Sequence, residues 1–243
     1  ASAVLWNLVT WYFGVPSSSS HALVGGLIGS SVLAAGVDVV QVPGLLTILI
    51  ALLISPVIGL VVGFLLMRLI LFLARRATPS INTVFKRLQL ATLIGLGLSH
   101  GTNDAQKTMG VIALGLVLSD RLPSFSVPVW VIAASAMSIA LGTSLGGWRL
   151  IRTLGGRIYR IRPVHGFASQ VAGASVILGA ALLGGPVSTT QVLSSAIVGA
   201  GAAERINKIR WNVMGGMVVA WLLTIPISAG VSALCYLALS NII

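Results

Sequence analysis

From residue 45 to residue 73 the chain runs for 29 positions with a single charge, Arg68. About 20 such residues cross the hydrocarbon core of a bilayer as a helix, since only a helix or a closed barrel satisfies every backbone N–H and C=O where there is no water. The remainder has the same character: 56% of the residues are hydrophobic and 8% are charged, against roughly 25% charged in a soluble domain. The sequence predicts an all-α polytopic membrane protein of the cell (inner or plasma) membrane, with the lipid bilayer as its immediate partner.

The formal net charge of +11 would suggest nucleic acid in a soluble protein. Here the basic residues bunch into three short segments, 68–87, 149–162 and 204–210, between apolar runs. Lys and Arg gather in cytoplasmic loops, so the charge reads as topology, with these loops cytoplasmic and no nucleic-acid partner. Cys235 stands alone, which leaves no disulfide framework and no Cys-based metal spacing. No basic leader or cleavage site precedes the first apolar stretch, and the chain opens at Ala1; it is expected to begin in mid-protein.

An internal repeat organises the rest. Gly14-Val-Pro-Ser-Ser-Ser-Ser-His21 resembles Gly184-Gly-Pro-Val-Ser-Thr-Thr-Gln191 at a separation of 170 residues. The register persists: Pro16 falls on Pro186, Ser18 on Ser188, Leu23 on Leu193, Gly29 on Gly199 and Pro56 on Pro226. Residues 1–73 and 171–243 are therefore equivalent halves. With the basic loops cytoplasmic, residues 1–37 start and finish outside while 164–203 start and finish inside, each as two full spans or a re-entrant hairpin. Halves entering from opposite sides make an inverted-topology repeat, a common plan of secondary transporters. The expected division is a first-repeat portion at 1–73, a basic cytoplasmic loop at 74–87 and a second repeat at 88–243. The run 88–118 has no repeat partner within the chain, so its counterpart is expected upstream of Ala1.

Two features carry chemistry. Ser99-His-Gly-Thr-Asn-Asp-Ala-Gln-Lys-Thr108 interrupts an apolar run, and Asp104 is the one carboxylate of four set deep in such a run. Polar groups at membrane depth are expensive and face a partner or a cavity. The plain reading is an Asp104–Lys107 pair one turn apart. The functional reading is a cation site in which Thr102, Asn103 and Asp104 offer hard oxygen ligands to Na⁺, or Asp104 takes up H⁺, with Gly101 letting the helix break. The second feature is the pair Ser17–Ser20 and Ser188–Thr190, each just after a proline and before an apolar helix. Such hydroxyls can simply cap a helix, yet two opposed helix N-termini also form an anion cradle.

Other polar residues read more plainly. His21 and Gln191 differ at equivalent positions, so both are expected to be structural hydrogen-bonders. His100 reads equally as a proton relay or as packing beside Gly101. The six tryptophans mostly flank the runs, where interfacial belts place them. The arginines of 149–162 suit anionic headgroups. No HExxH and no convincing Ser/His/Asp set is present, so an enzyme is not expected, and a purely structural subunit would not need a buried Asp104.

Pro-Ser-Ser-Ser-Ser-His21, Ser-His-Gly-Thr-Asn-Asp-Ala-Gln-Lys-Thr-Met-Gly110, Gly147-Trp-Arg-Leu-Ile-Arg152 and Pro-Val-Ser-Thr-Thr190 resemble the inorganic phosphate transporter family, in the family's order and over nearly the whole chain. The resemblance implies broken transmembrane helices and two re-entrant hairpins. It implies phosphate, free or as a metal complex, held by Ser18, Ser19, Ser20, Ser188, Thr189, Thr190, Asn103 and Asp104, with a coupling H⁺ or Na⁺ at Asp104, Asn103 and Thr102. Symport by alternating access follows, with no cofactor and with a homodimer compatible. Another tetrahedral oxyanion such as sulfate, or a non-transporting fragment, is the alternative. The family's first Gly-Ala-Asn-Asp-type motif has no counterpart here, and Gln191 stands where many members carry His.

Overall fold

The computed structural model describes residues 1–78 and 80–240; Pro79 of the expected basic loop and positions 241–243 of the second repeat lie outside the described residues. Among the described residues every regular element is helical: α1 (Ser2–Phe13), α2 (Ser19–Ala35), α3 (Val42–Leu73), α4 (Ile81–Leu118), α5 (Val129–Gly146), α6 (Trp148–Arg152), α7 (Pro163–Leu182), α8 (Thr189–Arg205) and α9 (Trp211–Ser240). Four of them, α3, α5, α7 and α9, are long and apolar enough to cross a membrane. Their outward faces keep large apolar side chains such as Leu65, Leu141 and Leu234 exposed, which suits contact with lipid rather than water.

Two helical hairpins share one construction. Gly14 at φ 67° ends α1 and returns its N–H to Thr10 and Trp11, and Gly184 at φ 69° occupies the same place after α7. Only glycine adopts this left-handed conformation without strain. A proline then stiffens each turn, and Ser18 or Ser188 caps the outgoing helix, accepting from the backbone N–H of His21 at 3.2 Å or of Gln191 at 3.4 Å. The outgoing helices α2 and α8 have 17 residues each, and both of their ends are offset by the repeat separation. At 1.5 Å per residue each is about 26 Å long, short of a hydrocarbon core of about 30 Å.

The halves then exchange partners. Helix α2 packs along α9, and α8 packs along α3, so each hairpin lies against the long helix of the other half. Glycine sets the spacing. A Cβ on Gly29 would sit 2.0 Å from the carbonyl oxygen of Ala229, and one on its repeat mate Gly199 would sit 2.1 Å from that of Leu60. Close backbone approach through small residues is how membrane helices gain packing where lipid removes the hydrophobic drive. Ile158, Val198, Met217 and Trp221 form one buried cluster, and Met67, Phe85, Ala168 and Ala200 form another.

The helix break expected at Gly101 does not form. Helix α4 runs unbroken through Gly101, since one glycine inside a helix costs only about 1 kcal/mol relative to alanine. Helices α3 and α9 likewise run through Pro56 and Pro226. At Pro56 the carbonyl of Leu52 loses its usual helical donor and instead accepts from the Ser55 hydroxyl at 3.1 Å. The basic segment 74–87 is also shorter as a loop than expected, because α4 begins at Ile81 and takes up Lys86 and Arg87.

Candidate functional site

The two hairpin tips meet each other and the polar turn of α4. Ser20, in the first turn of α2, donates its hydroxyl to the carbonyl of Val187 in the other tip at 3.3 Å. Lys107 reaches both: its ammonium donates to the Val187 carbonyl at 2.6 Å and to the Ser20 hydroxyl at 2.8 Å. The same ammonium lies 3.2 Å from Asp104 Oδ1, so the plain Asp104–Lys107 pair is present and is one part of a larger cluster.

Asp104 draws on several elements. Asn103 Nδ2 donates to Oδ1 at 3.1 Å and to the Val187 carbonyl at 3.4 Å. Thr189 Oγ1 donates to Oδ2 at 3.4 Å, and His100 Nδ1 stands 3.5 Å from Oδ2. One carboxylate thus faces an amide, a hydroxyl, an imidazole and an ammonium. Such a group is costly at membrane depth unless paired, and here the pairing ties α4 to the N-terminus of α8.

The six hairpin hydroxyls expected to hold phosphate divide by role. Ser18 and Ser188 are buried and cap their helices, with Ser18 Oγ also 2.7 Å from His21 Nδ1. Ser20 and Thr189 engage Lys107 and Asp104. Ser19 is exposed and Thr190 is partly so, and neither hydroxyl has a hydrogen-bond partner among the described residues. These two stand in the first turns of α2 and α8, where unpaired N–H groups concentrate partial positive charge.

Thr102 stands apart from the cluster. It is exposed and lines a cavity between α4 and α5 together with Gln106, Ala136 and Thr143, on another side of the helix from Asn103, so the structure does not bring it to Asp104. Among the described residues no group of three His, Cys, Asp or Glu side chains could hold a metal ion. The oxygen ligands on hand for a cation are therefore Asp104, the Asn103 amide, the hydroxyls and the Val187 carbonyl. That carbonyl has no side-chain signature in a sequence, whereas Lys107 has one: a cation one turn from a carboxylate within an apolar run.

On their opposite side the hairpin tips border a cavity of about 430 Å³ between α3 and α9, which includes the repeat mates His21 with Gln191 and Leu52 with Leu222. Gln191 Oε1 is buried there without a partner among the described residues. The tip of the first hairpin is fixed from outside. Trp221 Nε1 donates to the Pro16 carbonyl at 2.8 Å, Thr153 Oγ1 donates to the Gly14 carbonyl at 2.8 Å, and the Arg149 guanidinium lies over the Tyr12 ring at 4.7 Å.

Comparison with known proteins finds relatives of this chain. The sequence profile of a family described as "Phosphate transporter family" matches residues 1–232. A "Probable low-affinity inorganic phosphate transporter" of Bacillus subtilis is 42% identical over 243 residues, covering 99% of this chain and 73% of that one. A protein of the same description from Rhizobium meliloti is 45% identical over 238 residues, covering 97% of this chain and 71% of that one. Among solved structures, one titled "The sodium-dependent phosphate transporter" shares the fold, with a TM-score of 0.86 and 23% identity over the whole of this chain and 78% of that one.

Proposed function

This chain belongs to the phosphate transporter family, a family of multi-pass membrane transporters rather than enzymes, and from that premise we propose that it moves phosphate by cation symport through the cluster at the hairpin tips. One observation carries the reading: tips from the two halves converge on Asp104 and Lys107 of α4. A transport site must be shared by parts that move against each other, and a place where both halves touch meets that need.

Phosphate is accepted by the free hydroxyls of Ser19 and Thr190, by the N–H groups opening α2 and α8, and by Lys107. Donors fixed in place around a desolvated anion bind it without reorganisation. Ser20 and Thr189 line the site, while Ser18 and Ser188 act by holding the tips in shape. The cation sits at Asp104 and Asn103. Na⁺ fits these hard oxygen ligands, and the structural relative is described as sodium-dependent; H⁺ on Asp104 is the alternative coupling ion.

Coupling follows from charge. Without a cation, Asp104 holds Lys107 by attraction; a cation at the carboxylate weakens that hold and frees the ammonium for phosphate, so each ligand favours the other. Residues 1–73 and 171–243 then rock as inverted units around the site, with the basic loops in the cytoplasm. The test is uptake of radiolabelled phosphate by the full-length protein in liposomes, with Na⁺ and pH gradients imposed separately. Uptake driven by one gradient supports the reading, and no uptake with either overturns it.

A further inference from the structure

Away from the hairpin tips, the far end of α8 and the segment before α7 enclose a second polar cavity, of about 380 Å³. Its walls are fixed. Ile158 is fully buried and its carbonyl accepts from the Arg210 N–H at 2.9 Å, while the buried Tyr159 donates its hydroxyl to the Ile197 carbonyl at 3.0 Å. A Cβ on Gly201 would lie 2.6 Å from the Tyr159 ring, so that wall exists because position 201 is glycine.

Four basic side chains and one carboxylate line the cavity: Arg160, Arg162, Arg205, Lys208 and Glu204. The carboxylate is already taken. Arg162 bonds one of its oxygens, and His165 Nε2 lies 2.6 Å from the other. His165 Nδ1 accepts from the Arg162 N–H at 3.0 Å, which leaves Nε2 as the donor in the neutral ring. Arg160, Arg205 and Lys208 consequently have no acidic partner among the described residues. A neighbouring cavity of about 580 Å³ shares Arg205 and Lys208 and adds Arg68, which extends the cationic surface. Charges that only orient a membrane protein can sit anywhere near a span end; these converge on one walled space. Trp211, exposed at the start of α9, is the kind of residue that marks the headgroup level.

We propose that this cavity is a phosphoryl-anion site separate from the transport cluster, filled by the phosphate of an anionic lipid headgroup or by free phosphate from the adjoining water. Arg160, Arg205 and Lys208 supply the charge, and the Glu204–His165–Arg162 tie holds the frame. Basic pockets beside membrane helices capture anionic headgroups in this way, and guanidinium forks match phosphate oxygens.

The test compares the full-length protein with the triple variant Arg160→Gln/Arg205→Gln/Lys208→Gln and with the charge-keeping Arg160→Lys/Arg205→Lys/Lys208→Arg. Native mass spectrometry counts retained phosphatidic acid against phosphatidylcholine, and equilibrium dialysis in neutral-lipid nanodiscs counts bound inorganic phosphate. Preferential retention of phosphatidic acid, weakened about tenfold or more in the Gln variant and kept in the charge-keeping one, identifies the lipid source. A second equivalent of inorganic phosphate lost only in the Gln variant identifies the aqueous source. Equal lipid and phosphate binding by wild type and Gln variant, or equal loss in both variants, overturns the proposal. These readouts are binding measurements, so failure of uptake would count against transport and leave this inference standing.

Discussion

The Lys107 ammonium donates to the main-chain carbonyl of Val187 at 2.6 Å, joining the polar turn of α4 to the second hairpin tip across 80 residues of sequence. Because that carbonyl also receives Asn103 and Ser20, one backbone oxygen organises three donors from two helices, α4 and α2. Lys107→Met should keep much of the side-chain bulk while leaving the Asp104 charge without its cation. Losing a hydrogen bond to a charged group costs about 1.5–3 kcal/mol, so phosphate affinity of the full-length protein should fall by about tenfold to a hundredfold. Equilibrium binding to the purified variant checks this, and unchanged affinity would remove Lys107 from the site.

Asp104→Asn should abolish cation-coupled uptake while the protein still inserts. The amide keeps the shape of the carboxylate and its contact with Thr189, but it cannot balance Na⁺ or carry a proton at this depth. Uptake in liposomes together with the amount of membrane-extracted protein separates loss of coupling from loss of folding. Ion-dependent uptake near the wild-type rate would move the cation elsewhere.

Packing between the halves predicts matched defects. Gly29→Ala and Gly199→Ala each drive a methyl group to about 2 Å from a backbone carbonyl of the facing long helix, and rigid helices cannot yield cheaply. Each should lower stability by at least the 1–3 kcal/mol typical of overpacking, read as a drop in thermal midpoint in detergent. Gly36→Ala is not a suitable control despite its open surroundings, because its φ is 83°; Gly115→Ala, with nothing within 4 Å and helical backbone, should be neutral or slightly stabilising.

Much of this arrangement is legible in the sequence, and the reasons differ by feature. The hairpins are written in side chains, since glycine, proline and a capping serine recur at one separation and each has a local conformational meaning. The Asp104–Lys107 pair is visible because charge is rare in an apolar run. The Val187 carbonyl is not visible, because any residue supplies one and only tertiary contact selects it. The exchange of partners between α2 and α8 is hidden for the same reason, although Gly29 and Gly199 mark the places where it is tight. The unbroken α4 shows the limit of reading polarity as a break: Asn103, Asp104 and Lys107 reach the hairpin tips and Ser99 and Thr108 bond carbonyls of their own helix, so the helix need not open.

At the second polar cavity, pH should act through Glu204. Burial disfavours its carboxylate, but the hydrogen bond from His165 and the charge of Arg162 outweigh that and hold the carboxyl below the ordinary range. A group whose folded value is lowered contributes stability that is complete above its unfolded value and is lost as pH falls through the folded one. The thermal midpoint of the wild type should therefore exceed that of Glu204→Gln at neutral pH, and the gap should close as the solution is acidified below the ordinary carboxylate value. A gap independent of pH would mean that the carboxylate charge contributes nothing to the tie.

The hairpin hydroxyls offer the sharpest separation between holding a structure and binding a ligand. Ser18 and Ser188 accept from the backbone of their own helices, so Ser18→Ala and Ser188→Ala should each cost about 1 kcal/mol of stability. Their effect on phosphate should pass through that loosening and diminish at low temperature, where the fold is intact. Ser19 and Thr190 have no hydrogen-bond partner among the described residues, so Ser19→Ala and Thr190→Val should leave the thermal midpoint nearly unchanged in the absence of phosphate. If both hydroxyls donate to one anion, each loss should weaken binding by about tenfold or more. Because they would share a ligand, their combined effect should depart from the sum of the single effects, as it does for residues coupled through a common partner. Phosphate titrations of the two single variants and the double variant, with midpoints measured beside them, complete the cycle. An additive pair would place the two hydroxyls on separate ligands, and unchanged affinity in both single variants would leave the cradle to the helix N-termini and Lys107.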